Sequence, residues 1–420
     1  MPDPRRQPSA LRSRVALAIA SIALFLALWI VVPAPTYALL ALGVGAPETS
    51  VWLLLASVVA IALAWPRERS RLSRASTWRS TSSRLAIALG TIAFALSMIP
   101  FARFPATARR LDAQMRAAIG AAPLRGADSI ALSALRPRPM LIGELLGGVS
   151  EGDARITRGI TVATPPGGAL TADIYRPRTG SARPMVVQLY GGAWQRGDPG
   201  DNAAFARWLA ARGYVVFAID YRHAPAARWP AQLDDVRAAL EWVRAHAVEY
   251  GGDTSRIALL GRSAGGHLAM MAAYTDLVSP PRAVVSFYGP ADLVDSYRNP
   301  PSPDPIGVRE VEEALIGGGL DALPDRYREA SPMAYATRPQ PPTLLIQGGR
   351  DHIVEARYGR RLAERLGATG TTVAYLEIPW AEHAFDAVFN GPSSQLALYH
   401  TERFLAWALA PGAPRAGSQR

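Results

Sequence analysis

The run Arg256-Ile257-Ala258-Leu259-Leu260 leads into Gly261-Arg262-Ser263-Ala264-Gly265-Gly266, and the chain continues as His267-Leu268-Ala269-Met270-Met271-Ala272-Ala273-Tyr274. The first segment is short and apolar, as a buried strand is. The last reads as a helix packed on a sheet. A serine on so sharp a strand-to-helix turn has a strained backbone, and its hydroxyl is pushed out at the sheet edge. Gly261 and Gly265 suit the turn because side chains there would collide across it. The following helix aims its N-terminal amides at charge developing near the serine. A G-x-S-x-G also arises by chance, so its partners decide what it means.

Working outward, eight strand-like runs fill the chain after residue 155: Ile156–Ala163, Leu170–Tyr175, Met185–Tyr190, Tyr214–Ile219, Ile257–Leu260, Ala283–Tyr288, Thr343–Ile346 and Thr372–Ile378. Helical patterns alternate with the later ones, at Ala203–Ala211, Ala231–Tyr250 and Ala356–Leu366. This alternation predicts an α/β fold, a mostly parallel eight-stranded sheet covered by helices on both faces. Ligands then bind at the carboxyl ends of the strands. There is no internal repeat and no Gly-rich phosphate loop.

Ser263 needs a base, and the chain has six histidines. His267, four residues on in the same helix, points into the packing behind the turn. His246 and His400 lie within helical patterns. His352 adjoins the best acid candidate, and His223 follows the Tyr214–Ile219 strand as a candidate pocket residue. His383 remains, in the loop Trp380-Ala381-Glu382-His383-Ala384-Phe385 beyond the last strand, on the sheet edge expected for Ser263. Asp351 follows the Thr343–Ile346 strand and is placed to hold an imidazole in the productive tautomer, with Asp292 as the runner-up. The order Ser263, Asp351, His383 is the one this architecture uses. Tyr190-Gly191-Gly192-Ala193-Trp194 ends the Met185–Tyr190 strand, where a Gly-rich turn presents backbone N–H groups to an oxyanion.

With these residues in place the chain resembles the α/β-hydrolase superfamily, nearest its esterase/lipase branch of hormone-sensitive-lipase-like and feruloyl-esterase-like enzymes. The resemblance covers roughly Ile156 to Leu409. It is carried by YGGAWQRGD (190–198), DYRHAP…WPAQLDD (220–235), YGGD (250–253), GRSAGGH (261–267), YGPADL (288–293), GGRDHIV (348–354) and EHAF (382–385). It implies Ser263 as nucleophile, His383 as base and Asp351 as acid, with an oxyanion hole from the amides of Gly192, Ala193 and Ala264. Tyr190, Trp194 and His223 are expected beside the substrate. The chain departs from the family's HGGG-type element in starting it with Tyr190 and in carrying Ala193 for the third Gly. The added methyl is expected to narrow the pocket.

Composition bounds the rest. The chain has no Cys, which excludes disulfides and thiolate chemistry, and no Lys, which excludes a Ser–Lys dyad and Schiff bases. The net charge is +11, but residues 1–120 hold 14 Arg against four acidic residues, while the remaining 300 hold 31 Arg against 30. The basic excess therefore flanks apolar runs near 15–32, 50–65 and 85–101, which is membrane topology and not a nucleic-acid face. The second run could begin near Tyr37 if Gly43 to Glu48 is tolerated. A cleaved signal peptide ending near Thr36-Tyr37-Ala38 is the rival for the first run. The Arg-rich loop from Arg67 to Arg84, against a first loop holding only Glu48, predicts a multi-pass protein of the plasma or inner membrane with everything after Phe104 on the non-cytoplasmic side.

The expected organisation is a transmembrane region over 1–105, an amphipathic helix (Ala106–Ile119) and connector to 150, the hydrolase domain over 151–412, and a disordered tail over 413–420. The Asp292–Arg338 segment, rich in Pro and Gly, is expected to be a lid or substrate-binding insertion. The expected activity is cleavage of a carboxylic ester, of small-molecule or lipid-like character, without metal or organic cofactor. Amide or peptide hydrolysis by the same triad is the nearest alternative, and a catalytically silent membrane-tethered binding protein is the alternative from another class.

Overall fold

In the strand Arg183–Leu189, Met185, Val187 and Leu189 enter the core on one face of a sheet and Val186 enters it on the other, and all are fully buried. A strand apolar on both sides is stable only between two layers, and each such side chain contributes roughly 1.5–3 kcal/mol by leaving water. The structure, a computed structural model, describes residues 7–65, 81–120, 124, 129–275 and 279–413. Most of the arginines expected to fix topology (Arg67, Arg69, Arg71, Arg74 and Arg79) and the tail from 414 to 420 lie outside the described residues.

The strands are β1 (Arg155–Ala163), β2 (Leu170–Arg176), β3 (Arg183–Leu189), β4 (Val215–Ile219), β5 (Gly252–Arg262), β6 (Ala283–Phe287), β7 (Thr343–Gly348) and β8 (Val373–Ile378). They form one sheet in the order β1-β2-β4-β3-β5-β6-β7-β8, antiparallel at β1–β2 and β2–β4 and parallel from β4 onward. Helices Ala231–His246, Ala264–Thr275 and Ala356–Ala368 cover one face. Ala203–Ala210 and Pro392–Ala408 cover the other.

At the N-terminus, α1 (Gln7–Leu28), α2 (Tyr37–Glu48), α3 (Ser50–Ala64), α4 (Thr81–Ser97) and α5 (Ile99–Ile119) follow one another. Among the described residues two stretches, Leu11–Leu28 and Thr81–Ile119, are long and apolar enough to cross a membrane, and α2 with α3 makes a third if that pair, bent by 77°, is counted as one. Thus α3 does not run straight back to Tyr37: Pro47 and the bend at Thr49 turn α2 aside, and Glu48 accepts the Ser393 amide at 3.0 Å. Nor is the helix expected over Ala106–Ile119 separate from the third apolar run, because α5 extends α4 almost without a break.

Helices α1, α3 and α4 pack side by side through small residues, among them Ala20, Ala27, Ala60, Ala86 and Ala93, whereas Ile22, Phe25, Leu55, Val58 and Ile92 point outward. Arg12 donates to the Ala62 carbonyl (2.9 Å) and Ser13 meets Ser83 (2.9 Å), so the start of α1, the end of α3 and the start of α4 share one end of the bundle. The contacts with the α/β domain lie at the other end. There Phe104, Leu111, Met115 and Ile119 of α5 enter the core on the β8 side, with the Phe104 ring 6.2 Å from that of Trp380.

Candidate active site

The sharp turn after β5 is made as its residues dictate. Ser263 has φ +51°, a region that non-Gly residues avoid, and its amide is held by the Phe287 carbonyl at 2.9 Å. A side chain at Gly265 would sit inside the backbone of Leu189 and Tyr190, so the helix after Ser263 can approach the end of β3 only with glycine there.

Three strand ends bring the titratable groups together. His383 Nε2 lies 2.9 Å from Ser263 Oγ, and His383 Nδ1 lies 2.8 Å from Asp351 Oδ2. The Asp351 carboxylate also accepts from the Gln347 amide group (2.9 Å) and from the backbone N–H groups of Ile353 (2.9 Å) and Val354 (2.7 Å). Burial pushes the Asp351 carboxyl up, opposed by the adjacent His383 imidazole and by the Val354 amide. An ionised Asp351 keeps the proton on Nδ1 and leaves Nε2 free to accept the serine proton. Asp292, the other acid considered, instead caps the helix Leu293–Arg298 by accepting the Asp295 amide at 3.1 Å.

At the end of β3, Gly192, Ala193 and Trp194 all have positive φ (+129°, +56° and +58°), and the amides of Gly192 and Ala193 donate to no group among the described residues. They lie at the turn beside Ser263 together with the first amide of the following helix, at Ala264. Trp194 is fixed from behind, its indole N–H donating to His267 Nδ1 at 3.1 Å while His267 Nε2–H donates to the Ala330 carbonyl at 2.7 Å. Burial lowers the His267 imidazole to about 4, so it stays neutral.

A pocket opens beside the serine. Ser263, Ala264, Ala193 and Trp194 line one side. Ile306, Val308, Val311, Ile353 and Val354 make the rest mostly apolar, with Ser296 and Glu312 among its few polar groups. Much of this wall comes from the segment expected as an insertion, which carries the helices Leu293–Arg298, Val308–Ile316 and Pro324–Glu329. Of the three side chains expected at the substrate, Trp194 lines the pocket and Tyr190 and His223 do not. The Tyr190 ring stacks on Tyr221 (4.4 Å), and its hydroxyl, pushed up by burial, donates to Asp220 and meets His223 Nε2 at 2.9 Å. Both hold the Gly192–Trp194 turn from outside the pocket. Among the described residues no three acidic or imidazole side chains gather as a metal site would require.

Sequence reading missed the groups that hold the loops. Buried Arg262 is ion-paired with Asp386, which also accepts the Tyr288 hydroxyl, and the Tyr288 ring lies 4.6 Å from that of His383. Glu382 accepts from the His352 amide (2.7 Å) and pairs with His352 Nδ1 (2.5 Å), tying the Asp351 loop to the His383 loop. The one available signal was Arg262 itself, a charge inside an otherwise apolar strand end. On the rim, Arg350 donates to the Val31 carbonyl (2.7 Å), and Arg196, 4.8 Å from the Tyr37 ring, bonds its hydroxyl. The Asp351 loop and the turn after β3 therefore lie against the link between α1 and α2.

A serine on a strained strand-to-helix turn, followed in the chain by an acid and a base at later strand ends of a sheet in this order, marks one architecture. The chain has the α/β-hydrolase fold. Residues 172–366 match the family model BD-FAE. Esterase LipC of Mycobacterium tuberculosis is 37% identical over 232 residues, covering 51% of this chain and 56% of LipC. The probable carboxylic ester hydrolase LipM of the same organism is 34% identical over 243 residues, covering 54% of this chain and 55% of LipM. The chain thus aligns with little more than half the length of these curated relatives. Among solved structures, a bacterial heroin esterase superposes with a TM-score of 0.56 at 23% identity, over 69% of this chain and 99% of that one, a likeness of fold.

Proposed function

We propose that this protein is a membrane-anchored serine hydrolase that cleaves carboxylic esters through Ser263, His383 and Asp351. The observation that carries the reading is the single imidazole bridging serine and carboxylate at 2.9 and 2.8 Å. Ser263 Oγ attacks the ester carbonyl as His383 Nε2 takes its proton, and Asp351 stabilises the imidazolium. The amides of Gly192, Ala193 and Ala264 receive the oxyanion, each such donor being worth about 3–4 kcal/mol in the transition state. The carbon–oxygen bond to the alcohol then breaks and the alcohol takes the proton from His383. Water adds to the acyl-enzyme, gives a proton to His383, and the acid leaves as Ser263 regains it.

The anchor rests on the bundle of α1, α3 and α4, whose small residues face inward and large apolar residues outward, as helices in lipid do. Its Arg-flanked end lies opposite the catalytic domain, which fits a domain on the non-cytoplasmic side. Because the rim of the site abuts the α1–α2 link, substrates with an amphiphilic, lipid-like part are favoured.

The test is hydrolysis of a panel of p-nitrophenyl esters and matched anilides by detergent-solubilised protein, with fluorophosphonate labelling and Ser263→Ala as control. Ester turnover and labelling that vanish together in the variant are expected. Turnover by Ser263→Ala at the wild-type rate refutes the assignment, and faster cleavage of anilides makes the enzyme an amidase.

A further inference from the structure

Glu312 is a carboxyl group placed in an apolar pocket without a full set of partners. It is 3% exposed, its Oε1 accepts the Ser296 hydroxyl, and its Oε2 is buried with no hydrogen-bond partner. Burial pushes this carboxyl up to about 8, so it is predominantly neutral near pH 7. The two other acids nearby are already engaged. Asp304 accepts the amides of Gly307 (2.9 Å) and Val308 (2.8 Å), and Asp292 accepts that of Asp295 and faces Arg361 at 3.7 Å. An orphaned buried polar atom in a ligand pocket costs free energy until a ligand satisfies it.

Ser263 and Glu312 line the same pocket, so an acyl chain fixed to Ser263 Oγ starts in the space that Glu312 bounds.

We propose that Glu312 is a specificity-determining residue that hydrogen-bonds a hydroxyl group on the acyl chain, making hydroxyacyl esters the preferred substrates. This rests on the serine-hydrolase reading above. A hydroxyl suits the site because it donates or accepts as the carboxyl requires and stays neutral among apolar walls. An ammonium would have to shed its hydration there.

The test compares p-nitrophenyl esters of straight-chain acids of increasing length with their ω-hydroxy, ω-methoxy and ω-amino counterparts, for the wild type, Glu312→Leu and Glu312→Gln, after each is shown by its unfolding profile to be folded. At one chain length the wild type is expected to favour the hydroxyacyl ester over the plain and methoxy esters by about tenfold in kcat/KM. Glu312→Leu is expected to lose or invert that ratio, and Glu312→Gln, which still accepts and donates, to keep much of it. Equal treatment of all four series by a wild type that hydrolyses plain esters overturns this proposal alone. So does a preference for the amino or methoxy series, or an unchanged ratio in Glu312→Leu. Hydrolysis of no ester and no fluorophosphonate labelling overturns the underlying reading, and this one with it.

Discussion

Arg262, immediately before Ser263, is ion-paired with Asp386, three residues beyond His383, and both side chains are nearly sealed from water at 5% and 9% exposure. The Arg262 guanidinium lies 4.3 Å from the Phe205 ring and 5.0 Å from that of Phe287. Asp386 also takes the Tyr288 hydroxyl. One buried pair thus joins the loop of Ser263 to the loop of His383.

Removing one member of such a pair leaves a buried charge uncompensated, which typically costs about 3–5 kcal/mol. Arg262→Met and Asp386→Asn are each expected to destabilise by that order in urea unfolding, and to lower kcat more than they raise KM. The double variant is expected to lose less than the sum of the singles, because neither charge is then left alone. Strict additivity would mean that the two side chains do not act as a pair.

Asp351→Asn tests the imidazole's tautomer. An amide group in place of the carboxylate donates to His383 Nδ1, which moves the ring proton to Nε2 and leaves nothing to accept the serine proton. A fall in kcat of about 10⁴-fold with little change in KM is expected, with stability near that of the wild type. A loss confined to KM would make Asp351 a binding residue.

The central strands β3 to β7 are legible because strands buried on both faces read as nearly unbroken apolar runs. The first turn of β5 is not, because Asp253, Thr254 and Ser255 are polar and lie where the strand emerges at the surface. That Ser263, Asp351 and His383 meet is legible because each follows a strand end, and a parallel sheet gathers those ends at one edge. Arg262 with Asp386, and His352 with Glu382, are pairs 124 and 30 residues apart that leave no periodic trace. The bend at Thr49 is hidden for a related reason: Glu48 turns toward Ser393, a partner 345 residues away.

His267 fixes Trp194 only while neutral. Its imidazole is lowered from 6.5 to about 4 in the folded state by burial, so the unfolded chain binds a proton that the folded one refuses. Stability is therefore fully present above pH 6.5 and falls as pH drops toward 4. His400, buried and lowered to about 3 by burial and by Arg403, adds to the same slope. His267→Gln is expected to flatten the fall, with His400 supplying what remains. An unchanged slope in urea unfolding across that range would show that His267 titrates alike in both states.

Glu312 works in the opposite sense. Its carboxyl is raised by burial from 4.5 to about 8, so between these values the unfolded chain has released a proton that the folded protein keeps. Raising the pH through this window pulls the equilibrium toward the unfolded state, and the loss levels off above about 8. Glu312→Gln has no proton to release, so its stability relative to the wild type is expected to rise across the window and be greatest above it. Paired urea titrations near pH 4.5 and near pH 8 read this directly. A difference between variant and wild type that is the same at both ends would mean that the carboxylate is already ionised in the pocket, balanced by a group other than Ser296.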